Sequence, residues 1–543
     1  MSDSFFGTDG IRGRTSLEAL DEAEAIVNLE IHRTLTPGFM RVLGEALSHC
    51  QPAMPGTGNT VVIGWDARPD NEALVAALTL GLRLTGSHVV HIGLCATPTL
   101  HHAVLAFDAR MGCMITASHN PVSDSGIKVF DCNGYKSTPA LETDISTSLR
   151  QLAEEDREVD EADRIQLAQP DATHLDWATT AHKTWLHQRW VAFEHEFGGC
   201  SETHKAGKIA SPLLLDSAGG FGRNWFSDFL TERGVPCEEV SAEVASLNKN
   251  CGAGEFSPTQ TWTHEEAAAS HHALLRRLTP APAGQWVAAA LDGDGDRCLL
   301  IEATTTGYKV VDGDAMAALF MAASSSSGWR FAASIESDVA LPSHVRTLDR
   351  EAVTMETAVG DRWLAYALRT NEDRLLDGTT MPRMLGVEDS GHVVLPAPHP
   401  TNAETWSLVG DGAATLCAVL LSSDRGRTVT FTRGWKKRIS ILESHRERWH
   451  ADADIFADIH DMATVGMGAS GFDSQRRQIA GEDNLLLIHA TNDNHVASLG
   501  IRNSGTQAKT SVSLRLSPGL DSSPYEALLE RVFGRLNAAL RDD

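Results

Sequence analysis

Short apolar runs alternate with amphipathic stretches along most of this chain. Thr60–Trp65, His88–Leu94 and Cys113–Ile115 are apolar, and helix-period stretches separate them: Pro37 to about Cys50, Asn71–Leu84 and about Thr99–Phe107. Short runs bounded by turn residues predict buried strands, and the 3.6-residue period between them predicts helices on the sheet faces. The alternation restarts at Ile209–Asp216, where a glycine turn (Gly219–Gly222) leads into a helix over Asn224–Arg233. It continues with a helix over Thr263–Leu278 and strands at Trp286–Leu291 and Cys298–Ile301. A third restart gives a helix over Ala315–Ala323, a strand over Trp329–Ile335, a helix to about Asp349 and a helix over Asp411–Leu421. After about Arg427 the pattern changes to strands at Lys436–Leu442, Leu485–His489 and Ser511–Leu516. A largely helical Glu443–Ile459 lies among them, and an amphipathic helix carrying Leu528, Val532, Leu536 and Leu540 closes the chain. The reading is three α/β units followed by a C-terminal α+β unit. Their expected bounds are 1–155, 156–312 (opening on a polar, acidic linker or insertion at 150–205), 313–430 and 431–543.

Composition narrows the function classes. With 543 residues the chain exceeds what one core can hold, and 42% hydrophobic with 22% charged residues is globular rather than disordered. A formal charge of −26 argues against nucleic acid or an anionic membrane as the main partner, while leaving room for a small anionic substrate held by local basic residues. No apolar run is long enough to span a bilayer, and the opening MSDSFFGTDGIRG lacks the basic and apolar regions of a signal peptide. Nine scattered cysteines without a C-x-x-C pair read as reduced thiols, so a cytoplasmic location is expected.

Four stretches carry candidate chemistry. In the first, the strand ending at Ile115 runs into Thr116-Ala117-Ser118-His119-Asn120-Pro121, with Lys128 a short loop beyond. A hydroxyl at a strand end beside an imidazole and an ammonium suits a covalent carrier, although the same serine also suits a cap. The second is Asp292-Gly293-Asp294-Gly295-Asp296-Arg297, three carboxylates alternating with glycine between two apolar strands. That pattern makes an oxygen cage for a divalent cation. It is not an EF-hand, because Arg297 and Ala303 stand where that loop needs glycine and glutamate. Third, Glu388 and Ser390 alternate in a turn and could read adjacent sugar hydroxyls. Fourth, Arg502, Ser504, Gly505 and Thr506 group about one glycine and could wrap a phosphate. The N-terminal stretch Phe5–Gly13 reads as a glycine-punctuated loop presenting Arg12 to an anion.

The order FGTDGIRG (6–13), TASHNP (116–121), GIK (126–128), DGDGDR (292–297), VDGD (311–314), VGDR (359–362) and RNSGT (502–506) resembles the α-D-phosphohexomutase superfamily along nearly the whole chain. The start, the DSGIKVF and NGYK continuation and VGDR look most like bacterial phosphoglucosamine mutases, with phosphomannomutase/phosphoglucomutase next. The resemblance implies mixed sheets in the three α/β domains, with all four domains set around a central active-site cleft. It also implies transfer of a phosphoryl group between O6 and O1 of a hexose through a bisphosphorylated intermediate, with a hexose 1,6-bisphosphate as activator. Ser118 would be the phosphoserine. Ser118, Asp292, Asp294 and Asp296 would hold one Mg²⁺. Lys128 and His119 would move protons, and Arg12 and Arg297 would stabilise the transferring group. Glu388, Ser390 and His392 would read the ring, and Arg502, Ser504, Gly505 and Thr506 would hold the non-reacting phosphate. A phosphosugar is the implied partner, in a monomer or homodimer.

Some positions depart from the family. Gln507-Ala508 replaces the usual Glu-Pro, Ser511 replaces a common second arginine that Lys509 could offset, and the sugar loop reads VEDSGH. Extra material falls around 150–205, 260–285 and 445–485. These departures bear on the substrate more than on the chemistry. A metal-dependent phosphatase and a silent sugar-phosphate-binding protein are the rival readings from other classes.

Overall fold

A computed structural model describes residues 4–155, 161–198, 208–370, 372, 374–423, 430–504 and 509–541. Four sheets organise them. The first has seven strands in the order Thr34–Leu35, Ile11–Thr15, Asp124–Asp131, Met111–Ile115, Thr60–Trp65, His88–Leu94, Ala172–Thr173. Its centre is parallel, but Asp124–Asp131 runs antiparallel to both neighbours, so the sheet is mixed. The second and third sheets have six strands each and are also mixed, with parallel pairs at Trp286–Leu291 with Ile209–Asp216 and at Arg330–Ser334 with Met384–Val387. The fourth has five strands, all antiparallel, covered by the helices Asp454–Gly468 and Ser523–Arg541. Parallel strands need crossover helices, which bury both faces. The near-continuous apolar runs of the first three sheets follow from that, as does the alternation in the fourth.

Several elements differ from the sequence reading, each for a visible reason. Phe5–Gly13 is not simply a loop. A turn closed by Gly7 N–H on the Gly10 carbonyl delivers the chain into strand Ile11–Thr15, which pairs with Asp124–Asp131. A helix at Glu22–His32 was not anticipated; it is capped by Asp21, whose Oδ1 accepts from Glu24 N at 2.7 Å. The expected helix over Thr263–Leu278 is broken into His264–Ala269 and a turn at Leu275–Arg277, because Ser270 turns extended and His272 is buried against Gly252 O. The helix expected at Glu443–Ile459 starts only at Asp454, since Trp449 is buried with its Nε1 on Asn484 O and holds the preceding chain in a turn.

The largest difference is in the polar stretch 150–205. It contains the 21-residue helix Trp177–Phe197, whose Trp185, Phe193 and Phe197 are fully buried. His182 bonds Thr99 of the first unit, while Arg189 donates to Asp411 Oδ2 at 2.6 Å and Trp185 to Pro398 O at 2.7 Å in the third. Phe193 and Phe197 join an apolar cluster that also takes in Val62, Ala289 and Phe331 from three sheets. The helix Trp177–Phe197 within this stretch is thus an internal strut on which three units pack.

Candidate active site

Strand Met111–Ile115 is fully buried and carries the chain to Ser118, which sits in the left-handed region at φ 53°. A non-glycine residue persists there only when its surroundings hold it. Arg68 and Asn248 supply that hold. Arg68 donates to the carbonyls of Ser118 (2.9 Å), Asn120 (3.0 Å) and Asp124 (2.7 Å), and its Nε is anchored on Asp66 at 3.1 Å. Asn248, from the second unit, adds a bond from Nδ2 to Ser118 O at 2.7 Å. With its carbonyl and N–H tied, Ser118 directs Oγ at Asp292 Oδ2, 3.0 Å away.

The three aspartates sit between strands Trp286–Leu291 and Cys298–Ala303, on a turn that Gly295 makes possible at φ +75°. All three are essentially inaccessible, and one oxygen of each lies within 4.8 Å of the others. Among the described residues this is the only such cluster of potential ligands. Burial, then Asp296 and Asp294, push the Asp292 carboxyl up to about 7 against the pull of Arg297. Asp294 Oδ1 is buried with no hydrogen-bond partner. Hard oxygen donors, an excess of buried negative charge and an orphaned oxygen all fit a divalent cation.

Lys128 already supplies part of the neutralising charge. Its Nζ lies 2.7 Å from Asp294 Oδ2, 2.7 Å from Asp296 Oδ2 and 2.9 Å from Asp9 Oδ2. Burial works against the ammonium, but the three carboxylates prevail and hold it charged well above the ordinary lysine range. Lys136 extends the network to Asp361 (2.6 Å) and Asp9 (2.9 Å), tying the first unit to the third. His119 is held in the opposite state: Arg297, then burial and Arg12, keep its imidazole neutral, and its buried Nδ1 has no partner. Arg12 is buried, with Nη2 3.5 Å from Asp9 and Nε unpartnered.

The sugar loop of the third unit is stapled to the aspartate loop. Cys298 N donates to Gly391 O at 3.0 Å, and a side chain at Gly391 would collide with Cys298 O at 2.4 Å. This brings His392 between two carboxylates, Nδ1 2.6 Å from Glu388 and Nε2 3.0 Å from Asp296. Burial and Arg297 oppose its charge, yet Asp296 and Glu388 raise it to about 10. With both nitrogens donating, the 3.0 Å approach of Arg297 Nε to Nε2 is a close contact and not a hydrogen bond. Glu388 also accepts from Gly360 N at 2.7 Å and Ser390 Oγ at 3.3 Å.

Ser118, His119, Lys128, Arg12, Arg297, the three aspartates, Glu388, Ser390 and His392 thus form one continuous cluster. Arg502 stands apart from it, on strand Val496–Asn503, between Glu336 (3.2 Å) and Glu482 (3.6 Å). Ser504 N–H donates to Lys509 O at 2.7 Å. Gly505 and Thr506 lie outside the described residues. Five further participants carried no separate signal. Asp9 and Lys136 lie within quoted motifs, but nothing local announces that they meet. Thr97 donates to Asp294 Oδ2 at 2.6 Å, and Asn248 and Arg68 act on backbone far away in sequence.

Comparison with known proteins places this site in a class. Residues 3–156 match the sequence model "Phosphoglucomutase/phosphomannomutase, alpha/beta/alpha domain I", and 312–430 match domain III of the same family. A phosphoglucosamine mutase of Mycolicibacterium gilvum is 30% identical over 422 residues, 76% of each chain. One from Rhodococcus erythropolis is 29% identical over 429 residues, 76% of this chain and 77% of that one. Among solved structures, a phosphoglucomutase/phosphomannomutase family protein from Burkholderia thailandensis superposes with a TM-score of 0.61 at 17% identity, covering 99% of this chain and 98% of that one. The Aspergillus fumigatus N-acetylphosphoglucosamine mutase, solved with GlcNAc-6P and magnesium, gives 0.51 at 15% identity, covering 92% of this chain and 99% of that one. The chain belongs to the phosphoglucomutase/phosphomannomutase family, the α-D-phosphohexomutases. It is therefore an isomerase that moves a phosphoryl group on a hexose. Among the described residues no helix is long and apolar enough to cross a membrane.

Proposed function

We propose that this phosphohexomutase interconverts glucosamine 6-phosphate and glucosamine 1-phosphate through a phosphorylated Ser118. The observation that carries the reading is the Ser118 Oγ held 3.0 Å from Asp292 inside the buried aspartate–lysine cluster, on a chain whose curated relatives are phosphoglucosamine mutases. Ser118 gives its phosphoryl group to one sugar hydroxyl and takes the other phosphate back, leaving a hexose 1,6-bisphosphate between the two transfers. That bisphosphate is also the activator that primes an unmodified serine. Mg²⁺ would be held by Asp292, Asp294, Asp296 and the Ser118 phosphate, and would supply charge neutralisation for the transferring group. The neutral His119 takes and returns the hydroxyl proton, the Lys128 ammonium serves as the acid of the pair, and Arg12 with Arg297 stabilises the equatorial oxygens. Glu388, Ser390 and His392 read the ring hydroxyls. Arg502 with Ser504, Gly505 and Thr506 holds the phosphate that does not react, in both sugar orientations.

A coupled assay with glucosamine, glucose and mannose 6-phosphates, Mg²⁺ and catalytic hexose 1,6-bisphosphate tests this. The expected result is the highest kcat/KM on glucosamine 6-phosphate. Preference for mannose or glucose phosphate overturns the sugar assignment. Release of inorganic phosphate without isomerisation overturns the transfer mechanism.

A further inference from the structure

Between the first and fourth units lies a cleft of about 670 Å³, lined by Phe6, Arg33, Arg150, Arg446, Trp449 and Asn503 among others. That volume is within the range of small-molecule sites. Its charge is unbalanced in one place. Arg150 is neutralised by Glu30, at 2.7 Å, and Glu447 faces His445. Arg33 and Arg446 face no carboxylate among the described residues. Arg33 donates one bond, Nη1 to Phe5 O at 3.3 Å, while its Nε and Nη2 are buried without a partner. Arg446 donates Nη1 to Ser504 O at 2.6 Å. Burial, then the charge of Arg446, lower the Arg33 pKa.

Two guanidiniums lining one cleft, neither paired with a carboxylate, favour an anion between them. A phosphate group suits this better than a carboxylate side chain, because it can carry two charges and offer an oxygen to the positive charge on each side of the cleft.

The cleft is not the substrate clamp seen from behind. Arg502 and Asn503 are consecutive on strand Val496–Asn503, so their side chains leave opposite faces. Arg502 reaches Glu336 and Glu482, whereas Asn503 Nδ2 reaches Arg446 O (2.9 Å) and Trp449 O (3.2 Å). Arg446 nevertheless holds the backbone at Ser504, one of the residues proposed above to grip the substrate phosphate. We infer that the Arg33–Arg446 cleft is a second binding site, for a small phosphate-bearing anion that bridges the first and fourth units. An anion there would tie Arg446, and with it the Ser504 carbonyl, to the fixed first unit. The inference does not depend on which sugar the enzyme uses.

Calorimetric titration of the full chain with pyrophosphate tests it, using wild type, Arg33→Gln, Arg33→Lys and Arg502→Gln. Wild type should bind one equivalent that survives Arg502→Gln. Arg33→Gln should weaken that equivalent roughly tenfold or more, as loss of a charge-assisted donor does, and Arg33→Lys should largely keep it. Mutase kcat/KM of Arg33→Gln, measured without added anion, should equal wild type. The site is refuted if Arg33→Gln binds pyrophosphate like wild type, if Arg33→Gln and Arg33→Lys lose it equally, or if Arg502→Gln removes all binding.

Discussion

In the proposed reaction the Ser118 centre and the Arg502 side chain both meet phosphate, and they are built differently. At Ser118 the charges are mostly buried and are answered both within a unit and across units: Lys128 against Asp9, Asp294 and Asp296, and His392 between Glu388 and Asp296. The backbone is fixed from two sides by Arg68 and Asn248. Arg502 instead pairs with Glu336 and Glu482, and Glu336 also binds Arg438 at 2.9 Å. Under the proposed role, a phosphate at Arg502 would have to displace these carboxylates from the guanidinium. Rigidity suits the group that must present one oxygen in one geometry. A displaceable grip suits the group that must release and rebind a turning intermediate.

That contrast can be broken in several ways. Ser118→Ala should lower turnover by roughly 10⁴-fold or more while leaving the thermal midpoint near wild type, because a nucleophile is lost without a buried charge being exposed. Lys128→Met should damage both readouts. It removes the cation that Asp9, Asp294 and Asp296 share, and removing one partner of a buried ion cluster costs about 3–5 kcal/mol. Urea titration with and without Mg²⁺ would show that loss, and partial recovery with Mg²⁺ is expected. Arg502→Lys should act on binding alone, raising KM about tenfold with kcat within a few fold, as loss of bidentate phosphate contact predicts. Asn248→Ala should do the reverse more weakly, lowering kcat about five- to tenfold at constant KM, because one hydrogen bond positioning Ser118 is worth about 1 kcal/mol.

The smallest effect is on acid stability. Burial favours the neutral form of Glu336, but Arg438 and Arg502 outweigh it and lower its carboxyl from 4.5 to about 2. A depressed folded-state pKa gives stability that is complete above pH 4.5 and is lost as pH falls toward 2. Glu336→Gln should therefore show a shallower loss of urea stability than wild type between those limits. An unchanged slope would mean that the Arg502 pairing contributes little.

The same contrast decides what could be read from the chain itself. The Ser118 strand, the Asp292–Asp296 loop and the helices Pro37–Cys50 and Asn71–Leu84 show in local pattern, because period, turn residues and alternating glycines are local properties. The helix Trp177–Phe197 does not. Tryptophans and histidines spread around its surface pack against three units at once, so it lacks the single apolar stripe that marks an ordinary surface helix. Arg68 and Asn248 escaped for a related reason. Each acts on carbonyls more than fifty or a hundred positions away, and a carbonyl leaves no mark in a sequence. Lys128 was legible as a basic group near Ser118, but its three carboxylate partners come from turns that meet only in the folded chain.

The central claim is that Ser118 carries the phosphoryl group in transit. Intact-mass measurement and peptide mapping, after incubation with hexose 1,6-bisphosphate and Mg²⁺, test it most directly. The account predicts a gain of one phosphoryl group per chain, located on Ser118, absent from Ser118→Ala and discharged on adding hexose 6-phosphate. A chain that turns over substrate while Ser118 stays unmodified throughout would contradict it.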